Sequence, residues 1–141
     1  MDDPYRLERF VRAQDDGGTY QQAVAELRAG RKTGHWIWFV FPQVAGLGFS
    51  AMSQRYAISG LPEARAYLGH PVLGPRLAEC AEIVADTEGS TAADIFGRTD
   101  AMKLRSSMTL FAAAGPTEPV FHEVLAKFFG GVPDEATLAR I

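Results

Sequence analysis

Residues 35–43 read His35-Trp36-Ile37-Trp38-Phe39-Val40-Phe41-Pro42-Gln43, and the fold class turns on whether this run is strand or helix. Its aromatic and β-branched content is that of a buried strand. A strand, however, needs a partner for its backbone N–H and C=O groups, and no other segment offers a convincing one. The run therefore reads as a short, wholly buried helix ending before Pro42, because proline biases the residue ahead of it away from helical geometry. That choice makes the protein all-α.

The flanking sequence supports it. On the N-terminal side, Asp3-Pro4 should open a helix, with aspartate as the cap and proline in the first helical position, where a missing N–H costs nothing. Leu7, Phe10 and Val11 give it a core-facing stripe. Asp15-Asp16-Gly17-Gly18 is a turn, and Thr19 with Gln22 forms a capping box for a helix through Tyr20, Ala23, Val24 and Leu27 that stops at Gly30. On the C-terminal side, Gly46-Leu47-Gly48 is a loop and Ser50 caps a helix over residues 51–57. Pro62 starts another, broken at His70-Pro71. Pro75 begins the most regular one, with Leu77, Cys80, Ala81 and Val84 inward and Gly89 at its end. Ser90 or Thr91 caps a short turn to Phe96-Gly97. Asp100 caps a long helix through Met102, Leu104, Met108, Leu110 and Phe111, stopped by Gly115-Pro116. Val120, Phe121, Val124, Leu125 and Phe128 form the next apolar stripe, ended by Gly130-Gly131, and a short helix follows Asp134. With no repeats, low-complexity tracts or linker, the expectation is one compact domain over residues 1–141, of about seven or eight short helices.

Composition bounds the function. A chain of 141 residues, 47% hydrophobic and 22% charged, can build a real core and is not disordered. A formal charge of −3 gives no electrostatic case for nucleic acid, whose phosphates call for a basic face. Arg28, Arg31 and Lys32 cluster at a helix end, where solvated cations suit the dipole. The single cysteine, Cys80, excludes an internal disulfide, and the Met-Asp-Asp-Pro start lacks the basic and apolar regions of a signal peptide. The longest apolar stretch, Trp36 to Phe41, is far short of the roughly 20 residues a membrane helix needs. A cytoplasmic protein with no membrane segment is expected.

Two blocks could carry chemistry. In the aromatic run, Trp36 and Trp38 offer faces on which a flat ligand could stack, Gln43 could read an amide or base edge, and His35 could act as donor or general base. The same residues could equally be core, with His35 and Gln43 bonded to backbone at its ends. In the long helix, Lys103, Ser106 and Ser107 fall at i, i+3 and i+4 and so share one face. A cation with two hydroxyls could hold a phosphate, a carboxylate or a sugar, although helical serine can also serve close packing or face water. A serine nucleophile with a lysine base is disfavoured, since Ser precedes Lys in the Ser-x-x-Lys signature and follows it here. Gly46-Leu47-Gly48-Phe49-Ser50 is neither a dinucleotide fingerprint nor a phosphate loop. It is not a nucleophile elbow either, because Met52 stands where the second glycine should be. No metal site is expected: His35, His70 and His122 are far apart and none has a second ligand at a recognised spacing. No motif calls for a cofactor. Glu79 and Glu82 fall on a solvent face, which removes a glycosidase dyad, and Cys80 reads as a buried, inert thiol.

Several segments together resemble one family: Asp3-Pro4-Tyr5, Arg9-Phe10, Gly30-Arg31-Lys32, His35-Trp36-Ile37-Trp38-Phe39, Phe41-Pro42-Gln43, Gly46-Leu47-Gly48, His70-Pro71, Ile95-Phe96-Gly97 and Lys103-Leu104 with Ser106-Ser107-Met108-Thr109-Leu110-Phe111. They are similar to bacterial and fungal proteins designated domain of unknown function eighteen-ten, whose members often carry the automatic label calpastatin. The resemblance implies a small, stand-alone helical domain without an established activity. A calpastatin-type inhibitor is an extended, repetitive chain that folds on its target, which this sequence does not resemble. Two readings follow. One is a small-molecule pocket for a nucleotide-like or anionic aromatic ligand, with hydrolysis an open extension, built from His35, Trp36, Trp38, Gln43, Lys103, Ser106 and Ser107. The other is a non-enzymatic interaction or regulatory module in which the aromatic block is exposed. Oligomeric state is left open.

Overall fold

The computed structural model describes residues 2–141. In chain order the helices are α1 (Glu8–Asp15), α2 (Thr19–Arg28), α3 (Ile37–Val40), α4 (Ala51–Arg55), α5 (Leu61–Gly69), α6 (Leu73–Asp86), α7 (Ala92–Phe96), α8 (Arg98–Ala114), α9 (Pro119–Phe129) and α10 (Glu135–Leu138), with a 3-10 turn, Asp16–Gly18, between α1 and α2. The all-α expectation holds. There are more segments than seven or eight because α3, α4, α7 and α10 are single turns of four or five residues.

The aromatic run is one of those single turns, and one turn of helix leaves most of its backbone groups unpaired. Their partners are found individually. Trp36 C=O accepts from the N–H groups of Phe39 (3.3 Å) and Val40 (3.2 Å), and Ile37 C=O from Phe41 N–H at 2.9 Å. Phe39 C=O, with no helical partner, accepts from the amide of Gln14 at 2.7 Å. Gln14 is itself buried, and its oxygen accepts from Arg76 at 3.1 Å. Immediately after Pro42 a remnant of strand pairing does occur. Ile58 N–H donates to Gln43 C=O and Ala45 N–H to Ile58 C=O, at 2.9 and 2.7 Å, making one parallel bridge between Val44 and Ile58. A partner for an extended chain exists, but for a single residue.

Helix α8 is the axis of the core and packs against α5, α7, α9 and α10. Every residue from Ser106 to Ala112 on it is buried. Its polar side therefore does not face water at this level. Its hydroxyls instead bond back to carbonyls one turn earlier, Ser106 to Met102 (3.1 Å) and Thr109 to Arg105 (2.8 Å), which lets small polar residues pack inside. Phe111 lies between Tyr67 and Phe121, with ring centroids 5.3 and 5.9 Å away. Helices α5 and α6 meet so closely that a Cβ on Gly74 would lie 2.1 Å from Leu68 C=O, so only glycine fits there.

Three start signals act differently from expectation. Asp3 does cap, accepting from Leu7 and Glu8 N–H at 2.7 and 3.0 Å, but Pro4 lies in a turn and the helix begins at Glu8. Thr19 forms no capping box; its hydroxyl donates to Asp16 C=O at 2.7 Å and Gly18 precedes the helix. Asp100 is inside the first turn of α8, not at its cap, and is used for charge pairing. Other signals act as read. Ser50, Thr91 and Asp134 accept from backbone N–H groups at the starts of α4, α7 and α10, and His70 Nδ1 accepts from Val72 and Leu73 at the start of α6. Among the described residues, no helix is long and apolar enough to cross a membrane.

Candidate functional site

The site begins at Glu26 on α2. Its Oε1 accepts from Thr33 N–H, Gly34 N–H and the Trp36 indole at 2.7, 2.8 and 2.9 Å. Partial burial alone would raise the Glu26 pKa. The donors from Gly34, Thr33, Gln22 and Trp36 outweigh it and hold the carboxyl down at about 2, because hydrogen bonds to the ionised form favour it. This clamp fixes the loop that delivers the aromatic run, and it commits Trp36 to the core, where its side chain is fully buried.

Lys32 on the same loop departs from the solvated helix end that its sequence neighbours suggest. Its ammonium donates to Gly34 C=O and Asp100, both at 2.6 Å, and lies 5.0 Å from the Trp36 ring centroid. Only 5% of its side chain is exposed. A lysine buried this far needs a counter-charge, and Asp100 supplies it. Asp100 has a second cation, Lys103, at 3.5 Å, so two ammonium groups share one carboxylate and the group carries a net positive charge. Lys103 Nζ lies 5.0 Å from the Trp38 ring centroid, a cation–π distance.

Beside Lys103 a cleft of about 280 Å³ opens, lined by Gln43, Leu47, Gly48, Ser53, Thr99, Met102, Lys103, Ser106, Asp134 and Ala136. The loop on one side is tied down by Arg140, which donates to Gly46 C=O at 3.1 Å. Asp134, the cap of α10, accepts through Oδ2 from Ser106 (3.2 Å), Thr137 N–H (3.0 Å) and the Thr137 hydroxyl (2.6 Å). Its Oδ1 accepts no hydrogen bond among the described residues, and neither the side-chain amide of Gln43 nor the ammonium of Lys103 makes one. Among the described residues two buried side-chain atoms, Trp38 Nε1 and Ser107 Oγ, have no hydrogen-bond partner.

Residues 4–141 match the family described as protein of unknown function (DUF1810). The chain belongs to that family. A crystal structure of the conserved hypothetical protein Rv1873 from Mycobacterium tuberculosis shares 53% sequence identity with it, covers 97% of this chain and 96% of its own, and superposes with a TM-score of 0.94. No curated protein matches the chain.

In this DUF1810 chain, Gln43, Lys103 and Ser106 converge on one cleft and Trp38 backs the cation. Trp36 lies in the core, Ser107 is fully buried, and His35 is exposed and outside the cleft lining. In the sequence Asp134 reads only as a helix start and Asp100 only as a cap. Nothing local distinguishes a capping aspartate with one oxygen to spare from one with none. No group of three His, Cys, Asp or Glu side chains among the described residues could hold a metal ion. Cys80 is buried, and desolvation pushes its thiol up to about 12, so it is no thiolate nucleophile.

Proposed function

We propose that the cleft beside Lys103 binds a small anionic molecule with a flat or apolar body. The observation supporting this is the convergence of polar groups from three separate segments, Gln43, Lys103 and Asp134, on a pocket whose other walls include Leu47, Met102 and Ala136. Ligand sites take this form: apolar walls with a few polar groups that fix orientation. The paired lysines around Asp100 supply the net positive charge for the anion. The volume suits one ring with its substituents and lies just below the range of ~300–1,000 Å³ found for drug-sized ligands. Binding is favoured over hydrolysis, since the Ser106 hydroxyl is shared between Met102 C=O and Asp134 and no imidazole lines the cleft. The single, buried cysteine suits a cytoplasmic setting.

The test is an NMR titration of the Trp38 indole N–H resonance with 4-methylbenzoate, inorganic phosphate and adenosine monophosphate. Saturable shifts that vanish in Lys103→Ala support the reading. Unchanged resonances with all three would refute it.

One observation favours the interaction-module alternative. Among the described residues the exposed large apolar side chains are Phe49, Met102, Val132 and Leu138. Met102 lines the cleft, and the other three lie on chain segments adjoining its lining. Exposed apolar side chains grouped on one face would suit a docking surface. Concentration-dependent association that disappears in Phe49→Ser with Met102→Ser would favour that alternative.

A further inference from the structure

The charges in the cleft form an ordered pair. At one end is Lys103, whose neighbour Asp100 is already neutralised by Lys32 at 2.6 Å. Ser106 lies one turn along α8, on the same face and about 5–6 Å away between Cβ atoms. Its hydroxyl reaches Asp134, whose Oδ1 accepts no bond. A cation and a carboxylate thus line one cleft, with Leu47, Met102 and Ala136 among its other lining groups.

A ligand carrying only an anion satisfies Lys103 and offers no donor to Asp134, which lines the same cleft. Confining a carboxylate without a donor costs free energy, and a charged donor is its strongest hydrogen-bonding partner. A hydroxyl would also bond to Oδ1, but only a cationic donor adds charge attraction to the hydrogen bond. Resting on the binding function proposed above, we infer that the ligand is dipolar: an anionic group for Lys103, an apolar or aromatic body, and an ammonium group for Asp134. The side-chain amide of Gln43 is available to either end.

The experiment compares three probes on the intact protein by NMR titration: 4-(aminomethyl)benzoate with both charges, 4-methylbenzoate with the anion alone, and 4-methylbenzylamine with the cation alone. The dipolar probe is expected to bind at least about tenfold more tightly than either singly charged one, the factor that one charge-assisted hydrogen bond confers. Asp134→Asn keeps a capping side chain at the start of α10 and removes the charge, so it should bring the dipolar probe to the affinity of 4-methylbenzoate. An unchanged melting temperature and far-ultraviolet circular dichroism spectrum would show that the fold is intact. Equal affinities for the dipolar probe and 4-methylbenzoate in the wild type overturn the inference and leave the anion pocket standing. A dipolar preference that survives Asp134→Asn overturns it as well. If none of the probes binds, the pocket reading falls together with the inference.

Discussion

The ammonium of Lys103 lies 5.0 Å from the centre of the Trp38 ring, so α8 and α3 meet at a cation held on an aromatic face beside an open cleft. At a partly exposed position such a contact contributes about 0.5–1 kcal/mol. Removing the charge should therefore barely unfold the protein while disabling the cleft. Lys103→Met is expected to lower urea-unfolding stability by no more than about 1 kcal/mol and to abolish anion binding. A much larger loss of stability would mean that Lys103 is chiefly structural.

Acid should weaken the loop that presents the aromatic run. Glu26 is held at about 2 in the folded protein against an ordinary value of 4.5, so its folded pKa is depressed. The stabilisation is fully present above about 4.5 and is lost as pH falls through that window toward 2. Glu26→Gln is expected to cost about 2 kcal/mol at neutral pH, the worth of hydrogen bonds to a charged acceptor. The gap between wild type and variant should close as the pH approaches 2. Chemical denaturation across the acid range, followed in parallel for the two proteins, measures that closing gap.

Much of the architecture is legible in the sequence because it is written in local signals. The apolar stripes of α6, α8 and α9 and the caps Ser50, Thr91 and Asp134 need only near neighbours to act. The aromatic run is legible for a different reason: a strand there would lack partners, and the described residues provide just one bridge of pairing, Val44 with Ile58. Long-range pairings are what stayed hidden. Lys32 reads as a solvated cation because nothing adjacent shows that Asp100 lies against it. Ser106 and Ser107 read as a polar face, packed or open, because helix periodicity does not show that α8 is buried from Ser106 to Ala112. Asp134 reads as a cap because nothing near it in sequence shows that it also lines the cleft beside Lys103.

The Lys32–Asp100–Lys103 group predicts an asymmetry. Lys103 retains partial access to water, whereas Lys32 has 5% exposure and, among the described residues, Gly34 C=O and the face of Trp36 as its partners besides Asp100. Asp100→Asn strands that buried charge, and breaking a buried pair from one side costs about 3 kcal/mol. It should therefore destabilise more than Lys103→Met does. Adding Lys32→Met to Asp100→Asn removes the stranded charge and should recover part of the loss. Stability of the two single variants and the double variant, measured as a mutant cycle, checks this. Strict additivity would show that the two side chains are not coupled.

The cleft can also be disturbed through its backbone. A Cβ on Gly48 would come within 2.5 Å of both Cβ and Oγ of Ser53, and Ser53 is fixed in the first turn of α4 by donating its N–H to Ser50 Oγ at 3.1 Å. The helix cannot easily give way, so Gly48→Ala must push residues 46–48 outward and strain the Arg140 bond to Gly46 C=O. Both sides of the clash line the cleft and neither belongs to the buried core. The cost in stability should therefore fall near the low end of overpacking, about 1 kcal/mol, while ligand affinity drops by at least about tenfold if the loop shifts by the width of a methyl group. Because the obstructing atoms include Cβ of Ser53, Ser53→Ala should not relieve the clash and Ser53→Gly should. The double variant Gly48→Ala with Ser53→Gly is expected to regain binding even though a helical glycine costs about 1 kcal/mol of stability. Binding that returns as stability falls would tie the affinity to the spacing of this loop and α4, and a double variant as weak as Gly48→Ala alone would sever that tie.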